Sequence, residues 1–213
     1  MEMLEKSIQN FVRTISIYNP KESVVIKRGG IEYHPNPIKF NVDKKISFSP
    51  ELELFYGHCE IICDFRIHDK YTLKSMGIHL GNGAMFELFA AENLIYAQHG
   101  FSMINEKNNP NWNSGLTVIG TINEHDALIV DTSKKDSPII GTFGRDFFPI
   151  IDSFSGLLDC FSLLMELVYA RFDGDIIEDD APSEMFIESL RTILKKSNPN
   201  DIQVENLINY LYG

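Results

Sequence analysis

The sequence predicts an α+β fold, in which a mainly antiparallel sheet packs against helices and a helical appendage follows at the C-terminus. Three segments rich in β-forming residues, 116–122, 127–131 and 139–143, follow one another with short polar turns between them. This pattern is typical of an antiparallel meander. Residues 154–168 place large apolar side chains at helical spacing, which predicts a helix with one buried face.

The N-terminal part of the chain predicts one helix followed by a small hairpin. Apolar side chains recur every three or four positions over residues 4–15, and an Asn-Pro pair ends this pattern. Residues 23–34 predict a hairpin, because the Gly-Gly pair in the middle tolerates the positive φ of a two-residue turn. The prolines of residues 35–48 favour a loop or an edge strand.

The next part predicts a capped helix and then strands. The Ser-Pro pair at 49–50 marks the start of a short helix over 51–56, with the serine as N-cap and the proline at the first helical position. Residues 60–89 predict strands joined by a Gly-Asn-Gly turn at 81–83. Residues 91–99 predict one helix, which a glycine ends.

The segments after the meander predict one more strand and the remaining helices. Residues 147–151 extend the sheet, and Asp152-Ser153 caps the helix that follows. Two C-terminal helices are predicted over 182–196, with Pro182 near its start, and over 199–212, with Asn198 as the N-cap.

Charge and composition restrict the classes of partner. The chain has 213 residues with 30 acidic and 19 basic side chains, which gives a net charge of −11. Residues 1–50 carry eight basic and five acidic side chains, whereas residues 51–213 carry 11 basic and 25 acidic ones. Such acidity disfavours nucleic acid and anionic membranes and favours a basic protein partner. Three cysteines and the absence of an apolar run of membrane-spanning length predict a cytoplasmic protein.

The acidic residues are densest where the predicted domain ends. We divide the chain into an α+β domain over 1–172 and an acidic linker with a helical extension over 173–213. Five acidic residues lie within eight positions of this boundary: Asp173, Asp175, Glu178, Asp179 and Asp180. They are the predicted partner-binding residues, since clustered carboxylates attract a basic surface. A solvated linker explains the same cluster equally well.

Several short motifs follow one another in a fixed order between residues 100 and 168. They are Asn109-Pro110-Asn111-Trp112, Val118-Ile119-Gly120, Asp126, Asp131-Thr132-Ser133, Pro138-Ile139-Ile140 and Asp152-Ser153-Phe154. Upstream, residues 49–56 form an early helix segment similar to a Pro-x-x-(Leu/Tyr)-x-x-Phe pattern. In order and spacing these motifs resemble the SUKH superfamily, the Smi/Knr-like regulators of cell-wall assembly and their bacterial relatives. One departure is His125-Asp126, where that family usually has Gly-Asp.

This resemblance implies a non-enzymatic protein-binding module. Bacterial members of the family look largely like immunity proteins that neutralise toxins, often nucleases, which implies a basic toxin domain as partner and no cofactor. The alternative is a regulatory or scaffold protein of the Smi/Knr type. The motif residues expected to have structural roles are Trp112, Gly120, Asp126, Asp131, Ser153 and Phe154.

Two groups of residues suggest chemistry, and each has a simpler explanation. His58, Cys59, Cys63 and His68 resemble half of a zinc site, but their spacing is unusual and free buried thiols are the favoured interpretation. His125 beside Asp126 suggests acid–base work, whereas turn-forming aspartates explain the same residues. The usual nucleophile, metalloprotease and phosphate-loop motifs are absent from the sequence. We therefore predict no catalytic or metal site, with a metal-dependent hydrolase as the least favoured alternative.

Overall fold

The computed structural model describes residues 2–18, 30–62, 74–104, 107–108, 112–123, 126–144, 146–198 and 200–213. Its helices are α1 (Glu2–Tyr18), α2 (Pro50–His58), α3 (Leu94–Ala97), α4 (Phe154–Phe172), α5 (Glu184–Ser197) and α6 (Asp201–Tyr212). Its longer strands are β1 (Gly30–Tyr33), β2 (Cys59–Ile62), β3 (Ser75–His79), β4 (Met85–Phe89), β7 (Leu116–Ile122), β8 (Asp126–Asp131), β9 (Ile139–Phe143) and β10 (Asp146–Ile151). Two-residue strands are β5 (Met103–Ile104), β6 (Lys107–Asn108), β11 (Ile177–Glu178) and β12 (Ala181–Pro182).

The α+β prediction is confirmed by one six-stranded antiparallel sheet with the order β10-β9-β8-β7-β4-β3. The meander β7–β10 follows the predicted segments closely, because β-forming residues and the polar turns between them define each strand within a few positions. The Gly-Asn-Gly turn joins β3 to β4 as predicted. Strands β1 and β2 pair with each other in a second, two-stranded sheet.

Two N-cap predictions are also confirmed. Ser49 has extended backbone angles and its side chain accepts from the Leu52 N–H, so it caps α2 while Pro50 occupies the first turn. Ser153 likewise accepts from the Gly156 N–H and caps α4. Each serine satisfies a backbone donor that the first helical turn leaves without a partner.

Several boundaries differ from the sequence predictions. Of the hairpin predicted over 23–34, the structure describes β1, which pairs antiparallel with β2, while residues 23–28 lie outside the described residues. The described residues of 35–48 contain no strand. The predicted helix over 91–99 is only a 3-10 turn (Ala91–Asn93) followed by the single turn of α3.

The short α3 ends where Gln98 turns toward the sheet. Its side-chain Nε2 donates to the carbonyl oxygens of Leu94 and Val118, each at 2.9 Å, and its Oε1 accepts from the Val118 N–H at 3.2 Å. These bonds lie at an irregularity in the pairing of β7 with β8, between Val118 and Gly120. The buried amide therefore satisfies strand groups there instead of continuing the helix.

The N-cap predicted for the last helix was wrong by two residues. Asn200, not Asn198, caps α6, because its side chain accepts from the N–H groups of Ile202 and Gln203. Asn198 instead follows the end of α5 and its Nδ2 donates to Gln203 Oε1 at 3.0 Å. Pro182 belongs to β12 rather than to α5, which Ser183 caps.

The main core lies between one face of the large sheet and the helices. Along β8, Leu128 and Val130 belong to this core, whereas Ala127 and Ile129 belong to a smaller apolar cluster. Alternate residues of a strand point to opposite faces, so the smaller cluster lies on the other face of the sheet. Helix α4 contacts both the sheet and α1, and its Phe161 ring packs 4.9 Å from that of Phe86 in β4.

The C-terminal helices share the main core. Phe186 in α5 is fully buried and its ring packs edge-on against Phe172 in α4 and Tyr212 in α6. The hydroxyl of Tyr210 donates to the Asp126 carbonyl, and that of Tyr212 to the Leu80 carbonyl, each at 2.8 Å. Buried phenols with bonded hydroxyls hold α6 to the sheet, and Phe186 packs α5 against α4 and α6.

Candidate protein-binding surface

The acidic segment 173–180 forms an ordered hairpin. Helix α4 ends at Asp173, which adopts a left-handed conformation with φ of 54°. Beyond Gly174, β11 and β12 pair antiparallel, and the two residues between them, Asp179 and Asp180, have φ of 50° and 63°. Positive φ at both central positions defines a type I′ turn, which aspartate tolerates better than most residues. We call residues 173–182 the acidic hairpin.

The acidic hairpin docks on the turn between β3 and β4 through one side chain, that of Asn82. Its Nδ2 donates to Asp175 Oδ1 at 2.8 Å, and its Oδ1 accepts from the Ile176 N–H at 3.0 Å. The Asn82 backbone N–H donates to the Gly174 carbonyl at 3.1 Å. The asparagine thus binds three consecutive residues of the hairpin, as a strand partner would.

Apolar packing also stabilises the contact between the acidic hairpin and the turn between β3 and β4. Ile176 is 1% exposed. A Cβ built on Gly81, which has φ of 90°, would lie 2.8 Å from Ile176 Cδ1, so this glycine permits the backbone shape of the β3–β4 turn and leaves room for Ile176. The Ser183 N–H donates to the Ile176 carbonyl at 2.8 Å and ties the hairpin to the start of α5.

The carboxylates of the acidic hairpin face solvent and form no ion pair among the described residues. All five predicted partner-binding residues are exposed. In the part of the chain that the structure describes, the ion pairs involve other residues, and Asp175 bonds to the neutral amide of Asn82. The exposed Glu184 begins α5 immediately after the hairpin and adds a further negative charge. The result is a concentrated negative surface on a fixed backbone.

Some of the motif residues lie where the turn after β8 contacts the N-terminus of α2, a contact that we call the serine junction. Asp131 Oδ1 accepts from the Ser133 N–H at 3.2 Å and from its hydroxyl at 2.5 Å, as a turn-forming aspartate does. The Ser137 hydroxyl donates to Ser49 Oγ at 2.7 Å, and both side chains are buried. This contact joins the turn after β8 to the N-terminus of α2.

The start of α4 also contacts the serine junction. The Phe154 N–H donates to the Asp136 carbonyl at 3.1 Å, and the Phe154 ring packs edge-on against Phe55 with centroids 5.3 Å apart. Burial raises the pKa of the nearby Glu51 carboxyl. Ser153 and Phe154 therefore serve the packing of α4 and not a surface.

Gly120 lies where β4, β7 and β8 are closest together. It pairs with Leu88 on one side and with Leu128 on the other, next to the irregularity in β7. A Cβ built on Gly120 would overlap the Glu87 carbonyl oxygen and the Phe86 ring. Glycine is required here by close approach of the neighbouring strand.

Trp112 and Asp126 hold loops at the sheet. The Trp112 Nε1 donates to the Leu116 carbonyl at 3.0 Å, and its ring lies 5.8 Å from Phe101 and 6.0 Å from Phe147. Asp126 Oδ1 accepts weakly from the Gly144 N–H, at 3.4 Å. Both arrangements fit the structural roles expected for these residues.

The metal-like residues do not form a site within the described residues. His58 is buried and its Nδ1 lies 2.7 Å from the His34 carbonyl oxygen. Burial raises the pKa of the Cys59 thiol to about 12, so the thiol is protonated at neutral pH. Cys63, His68 and His125 lie outside the described residues. Among the residues that are described, no three histidine, cysteine, aspartate or glutamate side chains cluster to hold a metal ion.

A cavity that the sequence did not indicate lies beside Cys59. Its volume is about 320 Å³, and Phe40, Tyr56 and Cys59 are among the residues that line it. At its edge the Lys74 ammonium lies 3.0 Å from the Glu92 carboxylate. Its lining comes from segments far apart in the chain, so no local sequence pattern could have revealed it.

Comparison with known proteins does not place this chain in a family. No protein-family model matches it, and neither a curated protein nor a solved structure matches significantly. Within the described parts of the chain, none of the helices combines the length and the apolar character needed to cross a membrane.

Proposed function

We propose that this protein is a non-enzymatic immunity protein of the SUKH type, which binds a basic toxin domain and blocks its active site or substrate groove. The observation that carries the proposal is the acidic hairpin, with five exposed carboxylates that form no ion pair with any residue the structure describes. The order of the SUKH-like motifs in the sequence supports the family. A cytoplasmic location follows from the same proposal.

The acidic hairpin is suited to a basic partner because its backbone is already fixed. The Asn82 bonds and the buried Ile176 hold it in one position before any partner arrives. Binding then costs less conformational entropy than the ordering of a flexible acidic tail. Its unpaired charge also speeds association with a positive surface. A toxin that acts on nucleic acid has such a surface, since its substrate is a polyanion.

The first experiment measures binding to the protein encoded next to this gene. We expect co-expression to protect cells from that protein and the two purified chains to form a complex. Raising the ionic strength should weaken the complex, because salt screens exposed charges beyond about 8 Å at 0.15 M. If the purified protein instead captures only endogenous regulatory proteins, the Smi/Knr-like regulator replaces the immunity protein. Failure to bind or to protect against the neighbouring protein contradicts the immunity role.

A charge-matched pair of variants locates the contact. The test variant, Glu178→Gln with Asp179→Asn and Asp180→Asn, removes three charges from the acidic hairpin and keeps its turn, since asparagine tolerates positive φ. The control variant removes three exposed charges elsewhere, and its substitutions are Glu53→Gln, Asp146→Asn and Glu166→Gln. We expect the test variant to bind about tenfold more weakly, mainly through slower association, and the control to bind nearly as the wild type does. Equal affinities for the two variants would place the contact elsewhere.

A further inference from the structure

The turn that receives the acidic hairpin contains the chain's one Asn-Gly dipeptide, Asn82-Gly83. Asn82 is exposed, as is Gly83. An asparagine followed by glycine is the most susceptible sequence for deamidation, because no side chain obstructs the backbone nitrogen that attacks the amide. Here the susceptible amide is also the group that holds the acidic hairpin.

We propose that Asn82 is a deamidation site, and that its conversion to aspartate or isoaspartate releases the acidic hairpin from the domain. The Gly83 backbone nitrogen attacks Asn82 Cγ, forms a new C–N bond and loses its proton. The bond between Cγ and Nδ2 breaks, and the nitrogen takes up a proton and leaves as ammonia. Water then opens the resulting succinimide at either carbonyl. No atom is oxidised or reduced in this reaction, and water is its only co-reactant.

The docked hairpin protects this amide. Both polar atoms of the Asn82 side chain are bonded to the hairpin, so the amide is not free to rotate toward Gly83. The hairpin also rests on the glycine, since a Cβ built on Gly83 would lie 3.0 Å from Ile177 Cδ1. Deamidation therefore proceeds from molecules in which the hairpin has opened locally, and its rate reports that opening.

The product cannot restore the original contact. Nδ2 donates to Asp175 Oδ1 at 2.8 Å, and deamidation puts a carboxylate oxygen in its place. Two carboxylates then face each other at a distance where like charges repel strongly. An isoaspartate also lengthens the backbone of the turn by one methylene. Opening permits the reaction and the reaction favours the open state, so the change runs in one direction.

The rate of deamidation in the isolated protein tests the first half of the proposal. Folded protein is kept at mildly alkaline pH, and the tryptic peptide 75–107 is followed by mass spectrometry. This peptide also contains Asn93, which precedes leucine and serves as an internal reference. We expect Asn82 to convert faster in denaturant than in the folded protein, and Asn93 to remain an amide. Equal rates with and without denaturant, or equal rates at the two asparagines, would overturn the proposal.

Two variants of the acidic hairpin distinguish the effect of the hydrogen bond between Asn82 and Asp175 from the effect of removing a negative charge. Asp175→Ala removes the acceptor of the Asn82 amide, and loss of one hydrogen bond should raise the folded-state rate about fivefold. Glu178→Ala removes the same charge from a residue that does not bond to Asn82, so its rate should equal that of the wild type. If the Asp175→Ala protein deamidates no faster than the Glu178→Ala protein, the hydrogen bond to Asp175 does not protect the Asn82 amide.

The second half of the proposal, release of the acidic hairpin, is tested on the deamidated protein. Deamidated protein is separated by anion exchange, because it carries one more negative charge, and is compared with the Asn82→Asp variant. A protease specific for glutamate should cut both at Glu178 at least about fivefold faster than it cuts the wild type, while cleavage at Glu53 in α2 stays unchanged. Unchanged cleavage at Glu178 would show that the hairpin remains docked. None of these measurements needs a binding partner, so their failure is distinct from failure of the proposed immunity role.

Discussion

Replacing Gly120 by alanine tests whether close strand packing fixes this position. The added methyl group would overlap the Glu87 carbonyl oxygen, which is backbone, and the ring of Phe86, which is buried in the main core. A flexible side chain can move away from such a contact, but a strand carbonyl cannot do so without disturbing the pairing of β4 with β7. The substitution therefore forces the two strands apart.

The expected cost is at the upper end of the range for overpacked cores, about 3 kcal/mol of the free energy of unfolding. For a chain of this size that corresponds to a fall in Tm of about 6–12 °C. Gly77→Ala is the matched control, because a Cβ there would meet only the flexible Met85 side chain, with Sδ at 3.4 Å. The control should change stability by less than about 0.5 kcal/mol.

Urea and thermal unfolding followed by circular dichroism measure both variants under the same conditions. A Gly120→Ala protein as stable as the wild type would refute the packing argument. Equal losses for the two glycine variants would also refute it, since the cost would then reflect glycine in any strand.

Further predictions concern a helix cap, the buried thiols and two half-buried carboxyls. Ser153→Ala should lower the free energy of unfolding by about 1 kcal/mol through loss of the α4 cap, as measured in urea, and an unchanged midpoint would contradict the cap. Burial raises the pKa of both the Cys59 and Cys160 thiols to about 12, so neither should react with iodoacetamide at pH 8 until the protein unfolds. Rapid alkylation of either thiol in the folded protein would show that it is accessible. Burial also raises the pKa of the Glu51 and Asp159 carboxyls, so the folded state binds their protons more tightly than the unfolded chain does. Their contribution to stability is then present at low pH and is lost as pH rises through the raised values, and Asp159→Asn should flatten that part of the stability curve.

Much of the fold was predictable because its signals are local. Two of the meander strands are runs of five and seven residues rich in β-forming side chains, and Ser49 and Ser153 cap helices through bonds to residues three positions away. The choice of cap for α6 was not local in this way. Asn198 and Asn200 are equally good caps by type, and the tertiary contact of Gln203 with Asp152 helps to fix where that helix begins.

The candidate surface shows the same division. The sequence alone determined that five carboxylates lie within eight residues and that a Gly-Asn-Gly turn lies near residue 82. Only the tertiary structure decided that these features meet, because Asn82 and Asp175 are separated by 93 positions in the chain. Composition and periodicity act over a few residues and fix charge and local structure. Contacts between distant segments depend on how the core packs, and here the packing of α4, α5 and α6 turns an acidic segment into an ordered surface.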